Sequence, residues 1–267
     1  MADRAVANRL LGSYPYGRPQ LGRSESLSKI DFADLLLAEQ KFFTADNATM
    51  FVSGKVSADF ALRATKRLFG GWLKADKKVP STFAQPDAPQ KNIQVLDSPA
   101  AGTSEFRLAM RSVARNDKDF YASLILEKIL KNRVQTKEGE NSFVRQESHN
   151  LPGYIIFGVS GWYKDSIKKS GDAILLPEIG DYPNNYLKNA VVQAEFDKAK
   201  NEYLADFNKI RTEDFWLDTE TFKLSPFKTE WQNATNVTLA DVQRVLERFQ
   251  KEPVAKILVF KGENSSN

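Results

Sequence analysis

Cysteine is absent from this chain of 267 residues, and histidine occurs only once. The absence of cysteine excludes a disulfide scaffold, a cysteine-ligated zinc or iron–sulfur site and a thiol nucleophile. A single histidine excludes a histidine-rich metal site made from this chain alone, including an H-x-x-E-H motif, which needs two. Metal chemistry of that kind would need ligands from another segment.

Long apolar runs and blocks of one charge are also missing. No stretch approaches the roughly 18 apolar residues of a membrane-spanning helix, so we expect no membrane span. Basic residues number 38 and acidic residues 34, for a net charge of +4, and no basic run reaches five residues. This mild positive charge lends little support to binding of nucleic acid or of a membrane surface, and we expect neither partner.

Turn-forming residues dominate positions 1–27, where we predict loops, including an ordered loop from Gly12 to Pro19. Beyond them, apolar residues recur at helical or at strand spacing. The predicted elements are, in chain order, a helix from Asp31, a strand at 48–53, a helix at 57–69, strands at 92–96 and 104–110, a helix from Asp117, strands at 153–162 and 173–176, helices at 186–209, at 213–232 and from Thr238, and a strand at 254–260. Three prolines predict a linker over 77–91.

The most informative feature is an internal similarity. The segment IDFADL at residues 30–35 resembles VTLADV at residues 237–242, an offset of 207 residues. In both copies a capped helix, a short loop and an apolar strand lead to a glycine, Gly54 or Gly262. This arrangement is common in α/β proteins, so chance similarity is the alternative. If it is a duplication, the chain holds one whole unit and the end of a preceding one, as a fragment of a longer polypeptide would.

Several short motifs resemble those of the pitrilysin/insulinase zinc metallopeptidases. They are the loop Tyr14–Pro19 with Gly22, the strand and turn Asn47–Val56, the helix end Leu68–Trp72, the segments Phe143–Glu147 and Leu151–Tyr154, and the helical stretch Glu195–Lys200. The motifs extend over nearly the whole chain, and their order and spacing together are more specific than any single motif.

The resemblance implies an α+β fold class, with a mainly antiparallel sheet covered by helices in a LuxS/metallopeptidase-like unit. It also implies a domain organisation. Residues 1–76 would be the end of a preceding unit of the zinc-bearing type, residues 77–91 a linker, and residues 92–267 the partner unit. The prolines Pro177 and Pro183 depart from the family pattern, which has a helix in that region.

The resemblance further implies a function. In this family two histidines and a distal glutamate hold zinc, and the glutamate of H-x-x-E-H activates water. These ligands lie upstream of the Tyr14–Pro19 loop, so we expect no zinc in this chain and zinc in the full-length or partner protein. We therefore expect the substrate-binding, non-zinc portion of a zinc metalloendopeptidase that cleaves peptides and is inactive alone. Its partners would be a peptide substrate and an upstream zinc-bearing unit or partner peptidase chain, and export to the periplasm is slightly favoured.

Arg145 and Tyr154 match the arginine and tyrosine with which the family's partner unit reaches bound substrate. Eight residues lie between them here, where the family has six. Tyrosine can hydrogen-bond a carbonyl or a developing oxyanion, and arginine can anchor a carbonyl or a carboxylate. The structural alternatives are a half-buried strand aromatic for Tyr154 and a salt bridge with Glu147 or Glu140 for Arg145.

Three further expectations concern single features. His149, alone in a polar loop, is expected to be a solvated side chain rather than a ligand or base. Ser104 to Met110 is a candidate edge strand, which could bind a peptide by strand addition. A non-catalytic scaffold or partner subunit of the same family is the second functional hypothesis, and a basic nucleic-acid-binding protein, which rests only on the charge, is the third.

Overall fold

The computed structural model describes residues 1–75, 83–84, 86–97, 103–134, 141–161, 168–170, 173–175 and 186–260. The chain divides into two compact units. The first, which we call the sheet unit, comprises Met1–Pro19, Ala84–Asn208 and Trp231–Asn267. The second, the helical unit, comprises Gln20–Phe83 and Lys209–Glu230.

The main helices and strands of the described residues follow in chain order. The helices are α1 (Ala2–Leu11), α2 (Ser24–Leu27), α3 (Phe32–Phe42), α4 (Ala58–Phe69), α5 (Phe120–Arg133), α6 (Gln193–Phe207), α7 (Thr212–Phe222), α8 (Phe227–Thr235) and α9 (Leu239–Lys251). The strands are β1 (Ile93–Asp97), β2 (Ser104–Arg111), β3 (Asn141–Glu147), β4 (Tyr154–Gly161), β5 (Lys168–Ser170), β6 (Ala173–Leu175) and β7 (Val254–Phe260). In this part of the chain, no helix has the length and apolar character needed to cross a membrane.

A five-stranded sheet with the order β1-β7-β2-β4-β3 forms the centre of the sheet unit. β1 and β7 are parallel, and the other neighbouring strands are antiparallel. The short strands β5 and β6 pair with each other. The expected α+β class, with a mainly antiparallel sheet covered by helices, is confirmed.

The position of β2 in this sheet corrects one prediction. β4 pairs along one side of β2 and β7 along the other, so the prediction that Ser104 to Met110 is an edge strand was wrong. Five consecutive residues of β2 are buried, which is typical of an interior strand. Within the described residues β1 and β3 end the sheet instead. The polar sequence NSFVRQE of β3 explains why the hydrophobic pattern did not predict it as a strand.

The two faces of the sheet carry separate cores, because successive side chains of a strand point to opposite faces. The larger core joins one face to α5, α6 and α9, and its strand residues include Phe106, Leu108, Met110, Ile155 and Phe157. The smaller core joins the other face to α1, and its strand residues are Ala109, Ile156, Ala255, Ile257 and Val259. The small alanines at two of these positions let the helix approach the sheet closely.

Helix α1 is the second correction, since loops were predicted throughout residues 1–27. Ala2, Val6 and Leu10 lie four residues apart, so they share one face of a helix, and all three are buried on the sheet. A ten-residue helix is marginal in isolation. Packing on the sheet therefore supplies most of the stability of α1. The apolar pattern of ten residues was too short to predict this helix from the sequence.

The two capped helices predicted from the internal similarity are both present. The backbone N–H of Asp34 donates to Asp31 Oδ1 (2.9 Å), and the N–H of Asp31 donates back to Asp34 Oδ2 (3.2 Å). At the other copy, the N–H of Asp241 donates to Thr238 Oγ1 (3.3 Å), and the N–H of Thr238 donates to Asp241 Oδ2 (2.9 Å). The same reciprocal cap therefore begins α3 and α9.

Two predicted helices have different bounds in the structure. The helix predicted at 186–209 is a helical stretch at 186–188 followed by α6, which begins at Gln193 because the backbone of Val192 is extended. The helix predicted at 213–232 is two helices, α7 and α8, separated where Lys223 takes a left-handed conformation (φ 54°). Pro226, which directly precedes α8, is compatible with the first turn of a helix but not with its interior.

Within the helical unit, loop contacts hold α3 and α4 together. The indole N–H of Trp72 donates to the carbonyl of Phe43 (2.9 Å), and the N–H of Ala45 donates to the carbonyl of Leu73 (2.9 Å). Residues 48–53, predicted as a strand, form no strand with the described residues, although the backbone of Ala48 is extended.

The predicted domain bounds group residues 1–19 with residues 20–76, whereas in the structure residues 1–19 pack in the sheet unit. The assignment of residues 1–76 to the end of a preceding unit, of 77–91 to a linker and of 92–267 to a partner unit stays a prediction. Residues 77–82 of the predicted linker and the segment from Pro177 to Pro183 lie outside the described residues.

Helix α5 is fastened to strand β3 by polar side chains. The carboxylate of Glu127 accepts a hydrogen bond from the backbone N–H of Gln146, whose side chain donates to Ser123 Oγ (2.9 Å) and Ser148 Oγ (2.8 Å). Burial raises the pKa of Glu127 to about 7, and the hydrogen bond from Gln146 offsets only part of that effect.

Because the folded-state pKa of Glu127 lies above its ordinary value, the folded protein binds this proton more tightly than the unfolded chain does. Stability is therefore lost as the pH rises from about 4.5 to about 7. We expect Glu127→Gln, which stays neutral and keeps the acceptor oxygen, to raise the free energy of unfolding by about 1–3 kcal/mol at pH 8 and to leave it nearly unchanged at pH 4.5. Urea unfolding at both pH values measures this, with Glu39→Gln at an exposed position as control. Equal effects at both pH values would contradict it.

Candidate functional site

Arg145 and Tyr154 lie on neighbouring strands and on the same face of the sheet. In the register of β3 and β4, Glu147 is opposite Tyr154 and Arg145 is opposite Ile156. Since side chains alternate along a strand, Arg145 and Tyr154 are diagonal neighbours on the face that also carries α1. The eight residues between them include a connection at 148–153, so the extra length relative to the family pattern does not separate the pair.

Several groups hold the side chain of Arg145. Its Nε donates to Glu147 Oε1 (2.7 Å), and its Nη2 lies 3.4 Å from Asp3 Oδ2. The guanidinium carbon is 5.4 Å from the centre of the Phe143 ring, within the range of a cation–π contact. Although burial lowers the pKa of Arg145, the carboxylates of Glu147 and Asp3 outweigh it, and the net pKa is raised. Arg145 is thus an oriented and permanently charged group, and the expected salt bridge with Glu147 is present.

A second arginine, Arg107 on β2, shares these partners and was not identified from the sequence. It is 6% exposed, and its Nε lies 2.5 Å from Asp3 Oδ1. Its Nη1 donates to the backbone carbonyl of Val159 (3.0 Å), and its guanidinium carbon is 5.1 Å from the centre of the Phe143 ring. One carboxylate on α1 and one aromatic ring on β3 therefore organise both guanidinium groups. The available signal was a basic residue within the otherwise apolar run FRLAM.

Tyr154 is half-buried beside this cluster. Burial is the main cause that raises the pKa of its phenol, and the nearby carboxylate of Glu147 raises it further. The hydroxyl therefore stays protonated at neutral pH and can act as a hydrogen-bond donor. The structural alternative for Tyr154, a half-buried aromatic residue of the strand, is compatible with this role. The ring is anchored in the sheet and thereby fixes the position of the hydroxyl.

Gly158 leaves the space that the ring of Phe143 occupies. A Cβ atom at Gly158 would lie 2.1 Å from Cε1 of Phe143, which is far inside van der Waals contact. Gly158 is directly opposite Phe143 in the register of the two strands. The absence of a side chain at 158 therefore positions the ring against which both arginines pack.

His149 packs against the loop that contains Tyr16. The two rings are 4.4 Å apart at an interplanar angle of 39°, and the carbonyl of His149 accepts a hydrogen bond from the N–H of Arg115 (2.8 Å). The hydroxyl of Tyr16 also accepts the N–H of Leu151 (3.2 Å). The expected solvated side chain is thus corrected to one that joins the β3–β4 connection to the Tyr16 loop.

The described residues contain no group of three or more histidine, aspartate or glutamate side chains that could hold a metal ion. The carboxylates of the site, Asp3 and Glu147, are both paired with arginines. Such pairing suits them to orient guanidinium groups and makes them poor ligands for a cation. The described part of the site thus offers donors for a carbonyl or an anion, and it does not fit zinc.

The fold and this site define an α+β domain whose described residues hold an oriented pair of arginines beside a tyrosine. A sequence profile described as the Peptidase M16 inactive domain matches residues 29–203, a range that includes Arg145 and Tyr154. The chain therefore belongs to the Peptidase M16 inactive domain family, which confirms the family expected from the motifs. No curated protein sequence matches the chain.

Solved structures of low identity share the fold. A peptidase M16 inactive domain from Pseudomonas fluorescens is 18% identical, with a TM-score of 0.78 over 100% of this chain and 66% of that one. A protease from Helicobacter pylori is 17% identical, with a TM-score of 0.75 over 97% and 68%. A chain of complex III2 from Candida albicans is 13% identical, with a TM-score of 0.73 over 97% and 66%. The chain thus spans about two thirds of the length of these proteins.

Gly158→Ala tests the packing of Phe143 that supports the site. We expect the added methyl group to displace the ring and to lower the free energy of unfolding by about 1–3 kcal/mol. Gly71→Ala is the matched control, because its Cβ would meet nothing within 4 Å. Urea unfolding measures both variants. A loss at Gly158 no larger than that at Gly71 would contradict the close contact.

Proposed function

We propose that this chain is the substrate-binding, zinc-free portion of a metalloendopeptidase that cleaves peptides and that it is inactive alone. The observation that carries the proposal is the oriented Arg145 beside the protonated Tyr154 on one face of the sheet, in a chain of a peptidase family. Both residues belong to rigid strands, so their donors are fixed before a ligand arrives.

The two side chains supply complementary chemistry for a peptide. The guanidinium of Arg145 can donate to a backbone carbonyl or a carboxylate, and the hydroxyl of Tyr154 can donate to a carbonyl oxygen on which negative charge develops. The zinc ligands would come from an upstream unit or a partner chain. When bound there, zinc would polarise the scissile carbonyl and lower the pKa of a water molecule.

A specific observation also supports the alternative of a non-catalytic scaffold or partner subunit. Arg145 already pairs with Glu147 and Asp3, and these contacts fix β3 to α1 without any ligand. The similar fold of a chain in complex III2 from Candida albicans fits a role within an assembly. On this alternative the arginine cluster only stabilises the sheet, and peptide turnover does not depend on it.

The variant Arg145→Ala, made in the full-length protein, distinguishes the substrate-binding role from the scaffold role. If Arg145 holds substrate, kcat/KM for hydrolysis of a fluorogenic peptide falls by about 10- to 100-fold, the loss of one charge-assisted hydrogen bond. Arg244→Ala is the matched control. Its side chain is 50% exposed against 47% for Arg145, and it also pairs with two carboxylates, Asp119 (2.6 Å) and Asp241 (2.8 Å).

We expect Arg244→Ala to lower thermal stability about as much as Arg145→Ala while leaving kcat/KM within twofold of the unaltered protein. Equal kcat/KM for both variants, or no zinc-dependent hydrolysis by the whole protein at all, would reject the substrate-binding role and favour the scaffold.

Tyr154→Phe tests the hydroxyl separately from the ring. If the hydroxyl donates to the developing oxyanion, kcat falls by about 100-fold while KM changes little. Tyr203→Phe is the control, since Tyr203 packs among the aromatic rings of Tyr121 and Phe207 in the other core. A fall in kcat that Tyr203→Phe reproduces would show a structural effect instead.

A further inference from the structure

The connection between β3 and β4, residues 148–153, joins the two halves of the candidate site. Glu147, which orients Arg145, directly precedes it, and Tyr154 directly follows it. All six residues of the connection are described, and they lie in neither a helix nor a strand. Hairpin loops most often have about two to five residues, so this one is longer than those with a defined turn geometry. Contacts from other segments therefore decide where it lies.

Tyr16 supplies two of these contacts. Its hydroxyl accepts a hydrogen bond from the backbone N–H of Leu151 (3.2 Å), and its ring centre lies 4.4 Å from that of the His149 imidazole. Tyr16 and Leu151 are 135 residues apart in the sequence, so only the tertiary fold brings them together. One side chain thus contacts the connection at two points, through a polar group and through a ring.

Tyr16 is itself held firmly. It is the central residue of the short 3₁₀ turn Pro15–Gly17, and the proline restricts the backbone at the start of this turn. The carbonyl of Gly17 accepts a hydrogen bond from Nδ2 of Asn8 on α1 (3.2 Å). The ring of Tyr16 also packs edge-on against the buried ring of Tyr14, with 5.6 Å between the ring centres. A side chain anchored in this way can fix the position of the segment that it contacts.

The position of the connection is passed on to the site through Gly153. A Cβ atom at this position would overlap the backbone carbonyl oxygen of Glu147, so the two backbones are in direct contact. The carbonyl of Gly153 also accepts a hydrogen bond from the N–H of Ser112 (3.0 Å). Because Tyr154 follows Gly153 directly, a displacement of the connection would move Glu147 and Tyr154 together.

We propose that Tyr16 is a positioning residue of the candidate site. By holding the β3–β4 connection, it fixes Glu147 and Tyr154 in the arrangement from which the site meets a peptide. Arg145 is fixed with them, because its Nε donates to Glu147 Oε1 (2.7 Å). Tyr16 and Tyr154 also pack against the same smaller core. The effect of Tyr16 on turnover rests on the proposed function, whereas its effect on the geometry is a property of this chain.

Tyr16→Phe, made in the 267-residue chain, removes the hydroxyl and keeps the ring. We expect the amide of Leu151 to exchange its hydrogen about tenfold faster, since it loses its acceptor. The Nε–H of Arg145 exchanges faster as well, because its acceptor Glu147 is held less firmly. NMR-detected hydrogen exchange measures both rates. Tyr203→Phe, which alters the other core, is the control and leaves both rates within about twofold of those of the unaltered chain.

Hydrolysis of a fluorogenic peptide by the full-length protein tests the consequence for the site. We expect Tyr16→Phe to lower kcat by about tenfold and to change KM little, because a displaced Tyr154 hydroxyl meets the developing oxyanion less well. Tyr16→Leu removes the ring as well and lowers kcat further, so that phenylalanine restores part of the activity that leucine loses. The NMR signal of His149, the one histidine of the chain, reports the loss of the ring contact.

Three results would overturn the proposal. One is an unchanged exchange rate of the Leu151 amide in Tyr16→Phe. Another is faster exchange at Leu151 with an unchanged rate at Arg145 Nε–H, which would show that Tyr16 holds the connection without positioning the site. The third is an active full-length protein in which Tyr16→Phe and Tyr203→Phe have the same kcat. If the full-length protein hydrolyses no peptide, the proposed function fails, and the exchange rate at Arg145 alone decides whether Tyr16 positions these groups.

Discussion

The pairing of β7 on both of its sides is the interaction on which the sheet unit depends. β7 comes from the far end of the described chain, yet it lies between β1 and β2, parallel to the first and antiparallel to the second. Without it β1 has no neighbour, and α1 loses three of the strand residues against which it packs, at positions 255, 257 and 259. Contacts so distant in sequence carry an entropic cost of closure, which the packing of both cores on the completed sheet has to offset.

The arrangement of the candidate site also depends on β7. Arg145 lies on the end strand of the described sheet, but its orientation relies on Asp3 of α1, and α1 relies on the face that β7 completes. A carboxylate near the start of the chain thus pairs with two guanidinium groups that belong to different strands. The low exposure of Arg107 makes its pairing obligatory, because an unpaired buried charge is strongly destabilising.

Much of the fold follows from local patterns in the sequence. The caps at Asp31 and Thr238, the buried strands β2, β4 and β7, and the family with its α+β class could all be predicted, because each depends on residues close together in the chain or on motifs of fixed spacing. Strand β3 and helix α1 could not, since a polar end strand and a ten-residue helix take their stability from distant partners. For the site, the sequence provided Arg145 and Tyr154. Arg107 and the glycine behind Phe143 emerged only from the register of the strands, and Asp3 from the packing of α1 on the sheet.

The contact between Gly158 and Phe143 also limits which substitutions the two positions can accept. A side chain at 158 and a large ring at 143 exclude each other, since both would occupy the same volume across the two strands. A smaller residue at 143 would make room for alanine at 158, but it would remove the ring shared by the two arginines. Substitutions at these two uncharged positions are therefore coupled.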